Sequence, residues 1–272
     1  MEIKVLGALE AWHNGVSIVP TARKPRQLLS LLAICAGQVV PVSAITDELW
    51  GNERAPRSAI QVVQTYILRL RQGIDQAGSP DACAGKQILT TRPGGYTLDV
   101  AAEDVDTHLF DKLARGGELA LESGDYGSAS RLLTMALDIW RGPALVVVRV
   151  GAQLGIEVER LNQSRLTVLE SRVDADLGLG RHHQLLGELA ELTARYPLHE
   201  TLCERYMKAL DRCGCKWRAL EIFHRLRQRL VDELGIEPSV RVRRLQHAIL
   251  NSDTRPLEAT NSPRPVPVGA VG

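Results

Sequence analysis

The chain has 272 residues, 24% of them charged and 4% aromatic, with 33 basic against 32 acidic side chains and a formal net charge of +1. That length suits two domains of ordinary size, each able to bury its own core. So even a balance excludes bulk electrostatic attraction to nucleic acid and moves any such argument to local placement. Five cysteines (35, 83, 203, 213 and 215), odd in number and without framework spacing, predict reduced thiols and a cytoplasmic setting. No apolar run approaches the roughly 20 residues of a membrane helix, and the opening EIKVLG reads as a strand rather than a leader.

Residues 2–20 alternate as strands do, with Asn14-Gly15 as a hairpin turn. A helix from about Lys24 to Ala36 buries Leu28, Leu29, Leu32 and Ala36, and Gly37 sits where a C-terminal cap belongs. Ser43 is placed to cap a second helix carrying Asp47 and Glu48 in its first turn and closing at Leu49-Trp50-Gly51. Residues 54–71, RAPRSAIQVVQTYILRLR, form the third helix. Ile60, Val63, Ile67, Leu70 and Ile74 have the spacing of a buried stripe. On the opposite side, at about 100° per residue, fall Ser58, Gln61, Val62, Thr65, Leu68, Arg69 and Gln72. Arg54, Arg57, Arg69 and Arg71 are the only charged residues in that stretch, and all are positive. A solvated face normally mixes signs; an acid-free Gln/Thr/Arg face suits base edges in a major groove. After a polar loop (residues 77–86), ILTTRPGGYTLDV reads as a hairpin around Pro93-Gly94-Gly95. Arg92 would reach a minor groove from its turn, and Tyr96 would bond a phosphate. Strands, three helices and a terminal hairpin predict an α+β winged helix-turn-helix over residues 1–100.

From Asp104 to Leu250 the pattern is helical throughout. Apolar faces run through Tyr126, Ala129, Leu133, Ala136, Leu137 and Trp140, through Leu202, Tyr206, Ala209 and Leu210, and through Leu220, Phe223, Leu230 and Leu234. Glycine starts units at Gly124, Gly180 and Gly214. The last two are 34 residues apart, the tetratricopeptide period, and the first spacing of 56 implies an enlarged helix pair. Residues 104–250 therefore read as an all-α, tetratricopeptide-like domain, with Gly235 and Ile236 ending the third of these apolar faces in a left-handed cap. Residues 252–272, rich in Pro, Ser, Thr and Gly, read as a disordered tail.

No phosphate-cradling loop, nucleophile elbow or metal-ligand spacing is present, so no catalytic residue, cofactor or metal is predicted. Cys213-Gly-Cys215 is too close for a CxxC pair, and His182-His183 point apart at a helix start.

LWG, a helix ending YILRLR, and TTRPGGYTL resemble the OmpR-type winged-helix output domain. LDIWRGPAL, GRHHQLLGELAELTARYPLHETL, YMKALDRCG and LVDELGIEPSVRVRRL resemble the bacterial transcriptional activator domain. In that order the pair resembles a small, pathway-specific member of the Streptomyces antibiotic regulatory protein (SARP) family. The resemblance implies a recognition helix with contacts at Gln61, Val62, Thr65, Leu68, Arg69 and Arg71, a backbone-contacting Trp50, and wing contacts at Thr90, Arg92 and Tyr96. Gln61 and Leu68 stand where arginine is frequent in the family, so base preferences do not transfer. Gln61, Thr65 and Arg69 are the candidates for base readout, Val62 and Leu68 for thymine methyls, and Trp50, Arg54, Arg57, Arg71 and Tyr96 for phosphates. The family further implies double-stranded DNA with promoter direct repeats, a homodimer on DNA, and recruitment of RNA polymerase through its sigma factor and the C-terminal domain of its alpha subunit. The genes controlled would be those of an antibiotic or other secondary metabolite. A second reading, a helical-repeat adaptor whose winged helix binds protein, fits less well with an acid-free outward face.

Overall fold

The computed structural model describes residues 1–51, 55–78 and 84–251; the predicted tail lies outside them. The chain divides into two compact units, Met1–Leu179 and Gly180–Gly272. The architecture is a winged helix-turn-helix followed by an all-α, tetratricopeptide-like helical repeat.

The first unit opens with a three-stranded antiparallel sheet, β1 (Glu2–Lys4), β2 (Glu10–His13) and β3 (Val16–Ser17). Asn14 and Gly15 turn the β2–β3 hairpin with φ of 48° and 78°, both left-handed, the backbone that Asn-Gly adopts most readily. Then come α1 (Arg23–Ile34), β4 (Val40–Pro41), α2 (Val42–Trp50), α3 (Ala59–Ala77), a short α4 (Ala84–Ile88), β5 (Leu89–Arg92) and β6 (Gly95–Leu98). The second sheet runs β4-β6-β5, all antiparallel. A Cβ on Gly95 would collide with the Val40 carbonyl, so glycine is what lets β4 lie against the wing. Leu28, Leu32, Ile45, Val63, Ile67, Ile74 and Leu98 share one core beneath both sheets.

Four local expectations need correction. Pro41, with its fixed φ, precedes α2, so Ser43 lies inside the helix and Asp47 and Glu48 fall in the second turn. α3 begins at Ala59, which takes the buried position, and Ile60 is 57% exposed. The loop expected over residues 77–86 contains the start of α4. The helical half is broken between α6 (Tyr126–Asp138) and α7 (Ala152–Gly178), where Leu145 holds a φ of 53°.

Within this unit the winged helix is bonded to α5 (Asp106–Glu122), α6 and α7. The Glu48 side chain is only 2% exposed and accepts from Gln27 Nε2 (2.7 Å), Gly151 N (2.6 Å) and Leu154 N (2.9 Å). The last two are orphan amides at the first turn of α7, so a carboxylate from α2 caps a helix 103 residues further on. A Cβ on Gly151 would strike both the Glu48 carbonyl and its carboxylate. At the other edge Asp106 accepts from Val5 N and Leu6 N at 2.9 Å and faces Arg141 at 3.5 Å. Burial pushes the Asp106 carboxyl above the usual range, opposed by those amides and by Arg141. Leu6 then joins Phe110, Leu133, Trp140 and Leu161 in a second core, where the Phe110 and Trp140 rings meet edge to face at 5.7 Å. The long α7, with the break before it, is what enlarges the Gly124–Gly180 spacing.

The second unit comprises α8 (His182–Arg195), α9 (Glu200–Arg212), α10 (Lys216–Leu234) and α11 (Val240–Asn251). Gly180 and Gly214 begin their units with φ of 74° and 75°, as Gly124 does in the first unit with 79°. α9 is central: Leu202, Tyr206, Met207, Ala209 and Leu210 are buried, and its buried Glu204 pairs with Lys208 (2.7 Å) and Arg241 (2.6 Å). Gly235, φ 69°, caps α10, and Ile236 N donates to Leu230 O at 3.3 Å. Leu234 and, in the first unit, Tyr126 are nevertheless exposed at the ends of their stripes, in which Leu220 and Leu137 are half-buried, and Ile236 after the cap is exposed as well.

Replacing Glu48 with alanine should destabilise the first unit by about 2–4 kcal/mol, because buried amides at the start of α7 lose a charged acceptor. Urea denaturation followed by circular dichroism checks this. A midpoint equal to wild type would show that α7 starts without the cap.

Candidate nucleic-acid interface

α2 ends at Trp50, and Gly51, φ 46°, donates its N–H to the Asp47 carbonyl at 2.7 Å, turning the chain toward α3. α3 buries Ala59, Val63, Ile67, Leu70 and Ile74, which fixes its rotation. Gln61, Gln64, Thr65, Leu68, Arg69 and Gln72 are left exposed, and Val62 is half-buried against the core. No acid stands anywhere between Arg57 and Gln72. Thr65 donates its hydroxyl to the Gln61 carbonyl at 2.9 Å, so toward a ligand it presents lone pairs and a methyl but no proton.

The two arginines near the end of this stretch differ. Arg71 donates from Nε to the Leu89 carbonyl and from Nη2 to Thr91 Oγ1, both at 2.8 Å, and so ties α3 to the wing strand β5. Arg69 lies on the other flank, beside the β3–α1 segment, with no ion pair among the described residues. Gln64, on the wing side of the exposed face, is an addition from the structure; glutamine one position outside an apolar stripe carries no signal by itself.

The wing turns at Pro93-Gly94, with Gly94 at φ 78°, the position where such turns require glycine. Arg92 is exposed and lies 3.3 Å from Asp99 Oδ2; the same oxygen accepts the Thr90 hydroxyl at 2.7 Å. Asp99 thus orders the wing base and holds Arg92 loosely, since a half-exposed pair contributes little. Tyr96 is 7% exposed and paired across the sheet with Thr91 and Val40. Trp50 is 8% exposed, and the Lys24 ammonium lies 4.5 Å from the centre of its ring. Arg57 is exposed in the turn before α3; Arg54 lies outside the described residues.

This arrangement is one exposed helix face without acids, buttressed by Arg71 and flanked by a hairpin with a loosely held cation. Two family models match the chain: "Transcriptional regulatory protein, C terminal" over residues 17–98 and "Bacterial transcriptional activator domain" over residues 105–250. The regulatory protein DnrI of Streptomyces peucetius is 52% identical over 254 residues, covering 93% of each chain. The chain belongs to the Streptomyces antibiotic regulatory protein family. The transcriptional regulator RedD of Streptomyces coelicolor is 35% identical over 93% of this chain and 71% of its own. The regulatory protein AfsR of the same species is 36% identical over 92% of this chain, which spans only 24% of that relative. Among solved structures, Mycobacterium tuberculosis EmbR in complex with a low-affinity phosphopeptide superposes with a TM-score of 0.85 at 28% identity, over 92% of this chain and 65% of that one. These regulator names point to a transcription factor rather than an enzyme. Among the described residues no helix is long and apolar enough to cross a membrane.

Arg71→Ala should loosen the wing, costing about 1–2 kcal/mol through two lost hydrogen bonds. Amide hydrogen exchange across β5 and β6 is the readout. Unchanged protection there would place the tie between α3 and the wing elsewhere.

Proposed function

We propose that this protein is a sequence-specific DNA-binding transcriptional activator of an antibiotic or other secondary-metabolite gene cluster. The observation that carries it is the exposed, acid-free face of α3 beside Arg92 of the wing. α3 enters the major groove, with Gln61, Thr65 and Arg69 facing base edges and Val62 and Leu68 beside thymine methyls; Gln64 joins them from the wing side. Thr65, with its proton engaged, accepts from an adenine or cytosine amino group or packs its methyl. Arg54, Arg57 and the Lys24–Trp50 pair meet phosphates at the start of the recognition unit. Arg71, Tyr96 and Thr90 act mainly by positioning, since their polar atoms or rings are engaged within the fold, and Arg92 leaves Asp99 for the neighbouring minor groove.

The family adds the rest of the reading: two protomers in tandem on promoter direct repeats, and recruitment of RNA polymerase through its sigma factor and the C-terminal domain of its alpha subunit. Protomers on one face of B-DNA would place half-sites about 10–11 base pairs apart. The protein-binding alternative gains no specific support from the geometry.

Electrophoretic mobility shift with promoter fragments from the protein's own gene neighbourhood is the test. Arg69→Ala should weaken specific binding by about 1–3 kcal/mol and relax one base position, leaving binding to random DNA nearly unchanged. Asp99→Asn should raise affinity on all sequences by releasing Arg92, and should steepen the log–log salt slope by at most the roughly 0.9 expected of one added phosphate contact. No retardation by wild-type protein at low salt would remove the activator reading.

A further inference from the structure

The second unit holds a cavity of about 300 Å³ between α8 and α10, floored by α9, which the DNA-binding reading does not use. Part of its wall is apolar, with Ala190, Ala194, Ile222 and Leu226 among the lining residues. Its charge is one-sided. Arg218, Arg225 and Arg229 all line it, and at 3.6 residues per turn their spacings of 7 and 4 put them within roughly 20° of one line along α10. Glu221 is the only acid in the lining, and its carboxylate is taken by Arg225 at 2.8 Å. Arg229 makes no ion pair among the described residues.

Tyr206 is the built polar element. Its side chain is 3% exposed, and its hydroxyl accepts from Arg218 Nη2 at 3.3 Å while keeping its own proton to donate. That bond also orients the Arg218 guanidinium at the cavity wall. Cys203 beside it contributes no negative charge, because burial pushes its thiol up to about 11.

We propose that this cavity binds a small organic anion with an apolar body, its carboxylate or sulfonate held by Arg218 and the Tyr206 hydroxyl, while Arg229, about 16 Å further along α10, adds positive charge at the other end. Surplus positive charge on one wall favours an anion, and the apolar part of the lining favours one with an organic body. The volume, at the small end of the roughly 300–1,000 Å³ common for ligand sites, suits a compact molecule better than an extended peptide. The site would give the protein a small-molecule input separate from its DNA face.

Fluorescence titration of the full chain with 1-anilinonaphthalene-8-sulfonate tests this, with N-phenyl-1-naphthylamine as the uncharged counterpart. Saturable binding at one site is expected, at least tenfold weaker for the neutral dye and for the Arg218→Ala/Arg229→Ala variant, whose circular dichroism should match wild type. Ala194→Trp, which fills the cavity and leaves the arginines, should abolish the site. Equal affinity of the two dyes, or no loss in the folded double variant or in Ala194→Trp, would overturn the proposal. So would a Glu-rich peptide that displaces the sulfonate at lower concentration than benzoate does, since the occupant would then be a protein segment.

Discussion

A buried carboxylate accepts hydrogen bonds and donates none, so it is stable only where several N–H groups converge. Glu48 occupies such a point, between the Gln27 amide and the first turn of α7. Because α7 begins there, no side chain fits at residue 151. The same three-helix junction sets where α2 ends, and at the next residue, Gly51, the chain turns out of the helix. The direction of α3 is therefore decided partly by a helix that starts a hundred residues downstream. Asp106 makes the matching connection for the first sheet, clasping the backbone of Val5 and Leu6. These two carboxylates turn what composition suggests are two consecutive domains into one packed body as far as Leu179.

On that body the surface of α3 divides its labour. One flank carries Arg71, whose guanidinium is spent on the wing, and the other carries Arg69, which has no ion-pair partner among the described residues. Identical side chains two residues apart thus differ in what they are free to do. Thr65 is constrained in a third way, through a bond to its own helix that removes its proton from use.

How far the sequence can be read follows from how local each signal is. Asn14-Gly15 and Pro93-Gly94 are legible because turn chemistry depends on the residues in the turn. The stripe through Val63, Ile67, Leu70 and Ile74 is legible because one helix face is either buried or not. Ile60 breaks the pattern because Ala59, four residues before Val63, takes the buried place, and periodicity alone leaves the choice between i−3 and i−4 open. Ser43 is a reasonable cap by residue type, but Pro41 starts the helix first. Glu48 reads locally as a charge near a helix start; its actual partners include amides over a hundred residues away, and no local pattern encodes them. The separate fates of Arg69 and Arg71 are hidden for the same reason, since the acceptors of Arg71 are on another element. The cavity of the second unit depends on three helices meeting, and α10 alone reads as an ordinary charged helix.

The length of α7 has a mechanical consequence. Its 27 residues make a rod of about 40 Å, held at its first turn by Glu48 and lined with core contacts along the way. Gripped at its first turn and packed along its length, the rod moves with the body that holds it. A tilt of roughly 5° at the gripped end carries the far end, at Gly178, by about 3 Å. A small tilt of the body that carries α3 therefore arrives at Leu179 multiplied by the length of a single helix.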